Sequence, residues 1–209
     1  MSVNIITPRL QFVPVDHVYA LDGATLIGVT RLLDMAGLIQ EKAHWTPDYC
    51  VRGQLVHTAI QYDAQGELDE ATIDPRIEGR VRGWRRFRRD ARILARDCEL
   101  AMADAILGIA GTADMIAATA FGLVLIDFKS GAPAPWHAAQ LVGYRHLLAT
   151  NAKYLGLSLR GVLAMEMWDV YLSDDDYRLV PIVGANLSRG KKDWLSAIAT
   201  RALIPVEVG

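Results

Sequence analysis

Cysteine is almost absent. The chain has only Cys50 and Cys98, neither set in a Cys-x-x-Cys pair nor beside histidine-rich ligand spacing. That argues against a zinc site and an iron–sulfur cluster and leaves the two as free thiols. No uncharged stretch reaches the roughly 18 apolar residues of a membrane-spanning helix, and no cleavable signal pattern opens the chain. A soluble, intracellular (cytoplasmic) protein with no membrane partner is the expectation. Repeats, low-complexity tracts and linkers are also missing, so one α/β domain over residues 1–209 is expected. There is no Gly-x-x-x-x-Gly-Lys-Ser/Thr, hence no nucleotide cofactor is expected.

What is present begins with apolar residues, 52% of the chain, enough to fill a sizeable core. The net charge of −2 predicts no nucleic-acid partner by itself. The distribution of charge says more: nine arginines fall between Arg76 and Arg96, against only Glu78 and Asp90 there. Two acids cannot partner nine arginines, so like-charge repulsion along a helix carrying Arg82, Arg85, Arg86 and Arg89 favours an anionic partner, and phosphate contact is the better reading. A solvated helix face is the alternative.

Taken in order, residues 11–27 read as a short antiparallel excursion with a turn at Asp22-Gly23, and Thr30 as the cap of a short helix over 31–36 ended by Gly37. Residues 1–46 thus form an N-terminal extension of strands and a short helix. A long helix is predicted over 47–65, closed by Gly66, with Gly53 and His57 four apart on one face. Asp74 and Pro75 mark the start of the arginine-rich helix to about residue 93, with Ile77, Val81, Trp84 and Phe87 as its apolar stripe. Strands are predicted over 93–102, 105–118 and 123–129. A helix over 135–150 then carries Gln140 and Tyr144 on one face, strands follow over 159–168 and 170–180, and a last helix over 186–201 has Lys191 and Lys192 near its start. This order implies a central mixed β-sheet flanked by helices.

The stretch 111–131 stands out. Apolar runs at 114–118 and 123–128 flank Thr119-Ala120-Phe121-Gly122, where glycine permits a tight reversal. If the turn centres between Ala120 and Phe121, facing residues have numbers that sum to 241, and Asp114 sits opposite Asp127. Alternation places Lys129 on the same face. Opposed carboxylates on a largely buried ladder are destabilising, so a cation belongs between them, and a divalent metal on hard oxygen ligands suits two carboxylates and an ammonium. Glu99 lies on the preceding strand, and Trp136 and His137 just past this stretch.

These motifs resemble the PD-(D/E)XK nuclease superfamily, in its RecB-type and phage-type exonuclease branch. Arg52-Gly-Gln-Leu-Val-His57 is similar to its helical glycine-to-histidine motif, Gly-Thr-Ala-Asp114 to its first acidic motif, and Ile-Asp127-Phe-Lys129-Ser-Gly to its acid-x-lysine motif. Gln140-x-x-x-Tyr144 resembles the helical motif that follows, and His17-x-Tyr-x-x-Asp-Gly with Gly28-Val-Thr30 an N-terminal signature of small exonucleases. The resemblance implies a restriction-endonuclease-like αβββαβ core and a stand-alone bacterial or phage-encoded nuclease domain without the iron–sulfur cysteines. It implies Mg²⁺ or Mn²⁺, one ion or two, on Asp114, Asp127, the Phe128 carbonyl and His57. Lys129 would orient or deprotonate the attacking water or stabilise developing charge, with Gln140 and Tyr144 positioning that side of the site. Glu99 would be a further candidate for a second-metal contact. DNA ends or single strands would be the substrate, contacted by Arg52, the arginine helix, Trp136, His137, Lys191 and Lys192, with a recombination or single-strand-binding protein as the protein partner. An endonuclease and a non-catalytic DNA-binding accessory protein remain open alternatives.

Overall fold

A computed structural model describes residues 3–13, 18–40 and 46–204. The elements are β1 (Asn4–Ile5), β2 (Leu10–Val13), β3 (Val18–Leu21), β4 (Ala24–Gly28), α1 (Val29–Met35), α2 (Pro47–Gln65), α3 (Glu78–Asp90), β5 (Leu94–Asp104), β6 (Ile109–Thr119), β7 (Gly122–Lys129), α4 (His137–Asn151), α5 (Leu159–Ala164), β8 (Glu166–Leu172), β9 (Tyr177–Pro181) and α6 (Gly184–Ala202). They form a mixed sheet flanked by helices, as the sequence pattern implies. Among the described residues the main path through the nine strands runs β2-β3-β4-β6-β7-β8-β9, with β5 on the other edge of β6 and β1 beside β5.

Each sheet face is buried under its own helices. On one side Leu32 and Leu33 of α1, Leu141 and Leu147 of α4 and Trp194 of α6 pack on Leu100, Ile116, Leu125 and Met167. On the other, Val56 and Ile60 of α2 and Val81, Trp84 and Phe87 of α3 pack on Met115, Ile126, Phe128 and Val170. Helix α2 starts where its sequence says it should: the Thr46 side chain accepts from the Tyr49 N–H, Pro47 occupies the first turn, and Gly66 closes the helix in the left-handed conformation at φ 75°. No helix among the described residues is long and apolar enough to cross a membrane.

Three expectations are corrected. Residues 159–168 are not one strand: the Ser158 hydroxyl accepts from the Gly161 N–H at 3.0 Å and caps α5, and the strand begins only at Glu166. Thr30 does not cap α1, whose N-cap is Gly28 with no side-chain bond; Thr30 lies inside the helix and turns toward Gln140. The arginine helix begins at Glu78, because the Asp74 carboxylate accepts the Arg76 N–H in a separate turn before it. His17 and Trp45 lie outside the described residues.

Candidate metal centre

The hairpin of β6 and β7 keeps the expected register. Met115 faces Ile126, Ile116 faces Leu125, and the pairing continues to Thr119 and Gly122. Beyond Met115 the ladder opens. Strand β6 is bordered by β4 at Ile109 and Ala110 and by β7 only from Met115 onward, so Asp114 sits in the fork between two neighbours. There its carboxylate accepts the Phe128 N–H at 2.7 Å, a side chain taking the place of the missing ladder partner.

The opposite edge of β6 is irregular at the same level. Cys98 pairs with Met115 and Leu100 with Ala113, and between them Glu99 has φ 51°. Left-handed backbone is rare for a residue with a side chain and costs about 1–3 kcal/mol. Residues two apart on a regular strand share a face, yet Cys98 and Met115 pack under α2 and α3 while Leu100 and Ala113 pack under α4. Both strands change face at Glu99 and Asp114. The two carboxylates thereby meet His57 of α2, whose Nδ1 lies 3.3 Å from Asp114 Oδ1 and 3.6 Å from Glu99 Oε1.

One ligand atom from each of His57, Glu99 and Asp114 lies within 4.8 Å of the others, with Glu99 and Asp114 buried. Burial opposes protonation of His57, but Asp114 and Glu99 outweigh it and raise its pKa well above the ordinary value. Without another cation, a proton on the imidazole fills the space between two carboxylates. One nitrogen and two hard oxygens on a shared centre could hold a divalent metal ion.

Asp127 lies outside that three-residue group and pairs with Lys129, two residues along the same face. The Lys129 ammonium also donates to Gln140 Oε1 at 2.5 Å, and the Gln140 amide donates to Thr30 Oγ1 at 3.0 Å and Tyr144 Oη at 2.9 Å. Every polar atom of the Gln140 side chain is engaged, which fixes the amide and, through it, the lysine. Tyr144 packs closely because a side chain at Gly111 would lie 3.0 Å from its ring.

The sequence reading missed Asp169. Strand β8 runs parallel to β7 with Asp169 level with Asp127, and both are only 2% exposed. Among the described residues Asp169 Oδ1 has no hydrogen-bond partner. Burial pushes Asp169 up to about 6 and Asp127 up to about 7; Lys129 opposes both shifts, Tyr171 also opposes that of Asp169, and neighbouring carboxylates add to them. Asp-x-Tyr on a late strand carries no local signal; only the pairing of β8 with β7 brings it in.

The other candidates divide. His137 is buried, accepting from or donating to Tyr171 Oη at 2.8 Å, with its pKa lowered to about 3 by burial and then by Lys129. It supports this corner from inside and does not offer a surface for DNA. Trp136 covers Lys129, whose Nζ is 5.5 Å from its ring centroid. Arg52 lies 5.5 Å over the Tyr49 ring and makes no ion pair among the described residues. Next to it Gly53 faces Ser130, and Tyr49 fills the space a side chain at Gly131 would need. Lys191 and Lys192 are exposed on α6.

The premise behind the arginine face fails. Eight of its nine arginines find acids: Asp48 and Asp74 for Arg76, Asp174 for Arg80, Glu78 and Asp175 for Arg82, Asp63 and Glu70 for Arg85, Asp90 and Asp176 for Arg86, Asp63 for Arg88, Asp90 for Arg89 and Asp97 for Arg96. Most of these acids lie outside the arginine segment in sequence, in places only the fold brings near.

No protein-family model and no curated protein matches the chain. Among solved structures it is similar to LHK-Exo, determined in complex with dAMP, at 12% identity and a TM-score of 0.36 over 85% of this chain and 88% of that one.

Proposed function

We propose that this chain is a metal-dependent deoxyribonuclease that hydrolyses phosphodiester bonds, acting as an exonuclease on DNA ends or single strands. The observation that carries the reading is the convergence of His57, Glu99 and Asp114 on one centre beside the buried Asp127, Lys129 and Gln140 chain. A metal-ligating His57 is neutral, so the acidic groups of Glu99, Asp114, Asp127 and Asp169 have Lys129 as their cation, and a divalent ion would offset the remaining excess of acidic groups.

His57, Glu99 and Asp114 would hold Mg²⁺ or Mn²⁺, with Asp127 and the Phe128 carbonyl completing the ligand set. Such an ion supplies Lewis acidity toward a phosphate oxygen and lowers the pKa of a bound water. The protein's own contribution is positioning. Both contacts of Lys129 Nζ are acceptors, so it faces them as a donor ammonium. It is therefore suited to orient a water and to stabilise negative charge developing on the phosphate, rather than to take up a proton.

The test uses linear and circular single-stranded DNA with Mg²⁺, Mn²⁺ or Ca²⁺. Linear DNA is expected to be degraded and circles to survive. Lys129→Ala and Asp127→Ala should lose at least about a hundredfold in rate, with unchanged circular dichroism. Equal cleavage by Lys129→Ala would refute the mechanism, and opened circles would make the enzyme an endonuclease.

A further inference from the structure

At the far end of α3 a cavity of about 440 Å³ is lined by Asp63, Arg85, Arg88, Arg89, Arg92 and Ile93. Four guanidinium groups surround it with one carboxylate in its wall. Asp63 is shared: Arg85 Nε donates to it at 2.7 Å, and Arg88 Nη1 lies 3.6 Å from it while donating to its backbone carbonyl. The remaining partners, Glu70 on Arg85 and Asp90 on Arg89, are surface acids on side chains that are 67% and 38% exposed. Arg92 makes no ion pair among the described residues, and its backbone has φ 49°. Exposed pairs of this kind contribute little and give way readily to a better anion.

We infer that this cavity binds a backbone phosphate of the DNA strand, away from the bond being cut. The inference rests on the nuclease reading and adds a second place where the strand is held. Asp63 follows His57 by six residues, about 9 Å along a helix and about 120° around it. The cavity therefore lies further along α2 than the metal centre and on an adjoining face, a spacing that a single strand bending round the helix can cover. A planar guanidinium presents paired N–H donors to phosphate oxygens, and each such contact displaces condensed counterions from DNA. The site reads no sequence; it sets how much strand must be present for tight binding.

The experiment measures binding of a fluorescein-labelled single-stranded oligonucleotide to the Lys129→Ala protein by anisotropy over a range of salt. Adding Arg89→Ala and Arg92→Ala should weaken binding of a long oligonucleotide about tenfold and lower the salt slope by roughly one. Binding of a dinucleotide, too short to span both places, should not change. Arg160→Ala, at an exposed position on α5, controls for general loss of charge and should have a smaller effect. An unchanged slope in the double variant would overturn the inference while leaving the nuclease reading standing; failure of the parent protein to bind DNA at all would overturn both. Calorimetry with inorganic phosphate separates the ligand sources: phosphate binding abolished by the double variant, with DNA binding unaffected, would make this a free-anion site and refute the strand contact.

Discussion

Asp169 shows most directly what burial costs at the level of one residue. Its pKa is pushed up from the ordinary carboxylate value to about 6, first by burial. The folded chain therefore binds this proton more tightly than the unfolded chain does. In the window from about 4 to about 6 the folded state carries more protons, and its stability falls as pH rises. Above that window the full cost of the buried charge remains. In the metal-free protein Asp169→Asn should thus stabilise at pH 7 by about 1–3 kcal/mol and have little effect at pH 4; thermal melts at the two pH values check this. Destabilisation at pH 7 would mean that Asp169 is held by a favourable partner. The contrast with Asp127 and Lys129 explains what could be read in advance. Their spacing on one strand and the glycine turn before them are local, so their shared face was legible. The face of Glu99 was not, because a left-handed residue breaks the alternation by which faces are assigned.

The arginine helix shows the same limit at the level of elements. Its apolar stripe was legible, and Val81, Trp84 and Phe87 are indeed buried. Its charge balance was not, because the turn Asp174-Asp175-Asp176 between β8 and β9 comes from the far end of the chain to meet Arg80, Arg82 and Arg86. Gly83 makes that meeting possible: a Cβ there would fall 2.5 Å from the Asp176 carbonyl oxygen and 3.1 Å from that of Ser173. Helix propensity alone favours alanine over glycine by about 1 kcal/mol. Backbone oxygens cannot yield as a flexible side chain can, so Gly83→Ala should instead destabilise by about 1–3 kcal/mol. A chemical denaturation midpoint above that of the parent would show that α3 can lift from the turn at no cost. The short helix α5 failed in the opposite direction: 159–168 reads as one apolar strand, whereas the Ser158 hydroxyl caps its first part as a helix.

Across the whole molecule, the fold splits its sheet where the charge is greatest. Strands β4 and β7 border β6 at different heights, α2 closes the fork from one side with His57, and α4 closes it from the other with Gln140. A sheet opened at this point leaves backbone groups and carboxylates that water reaches poorly, so the metal-free protein carries an electrostatic cost that ligand binding can remove. A divalent ion at a hundred times its dissociation constant adds about 2.7 kcal/mol to stability. For a chain of this size that raises the melting temperature by roughly 5–10 °C. Addition of Mg²⁺ or Mn²⁺ should produce this rise and a chelator should reverse it, read by differential scanning fluorimetry without any DNA present. Asp114→Asn is the variant that decides, because asparagine keeps an oxygen to accept the Phe128 N–H while removing the charge. It should fold, and it should lose most of the metal-induced rise; a full rise in Asp114→Asn would place the stabilising ion elsewhere on the molecule and remove the fork from its role as the metal centre.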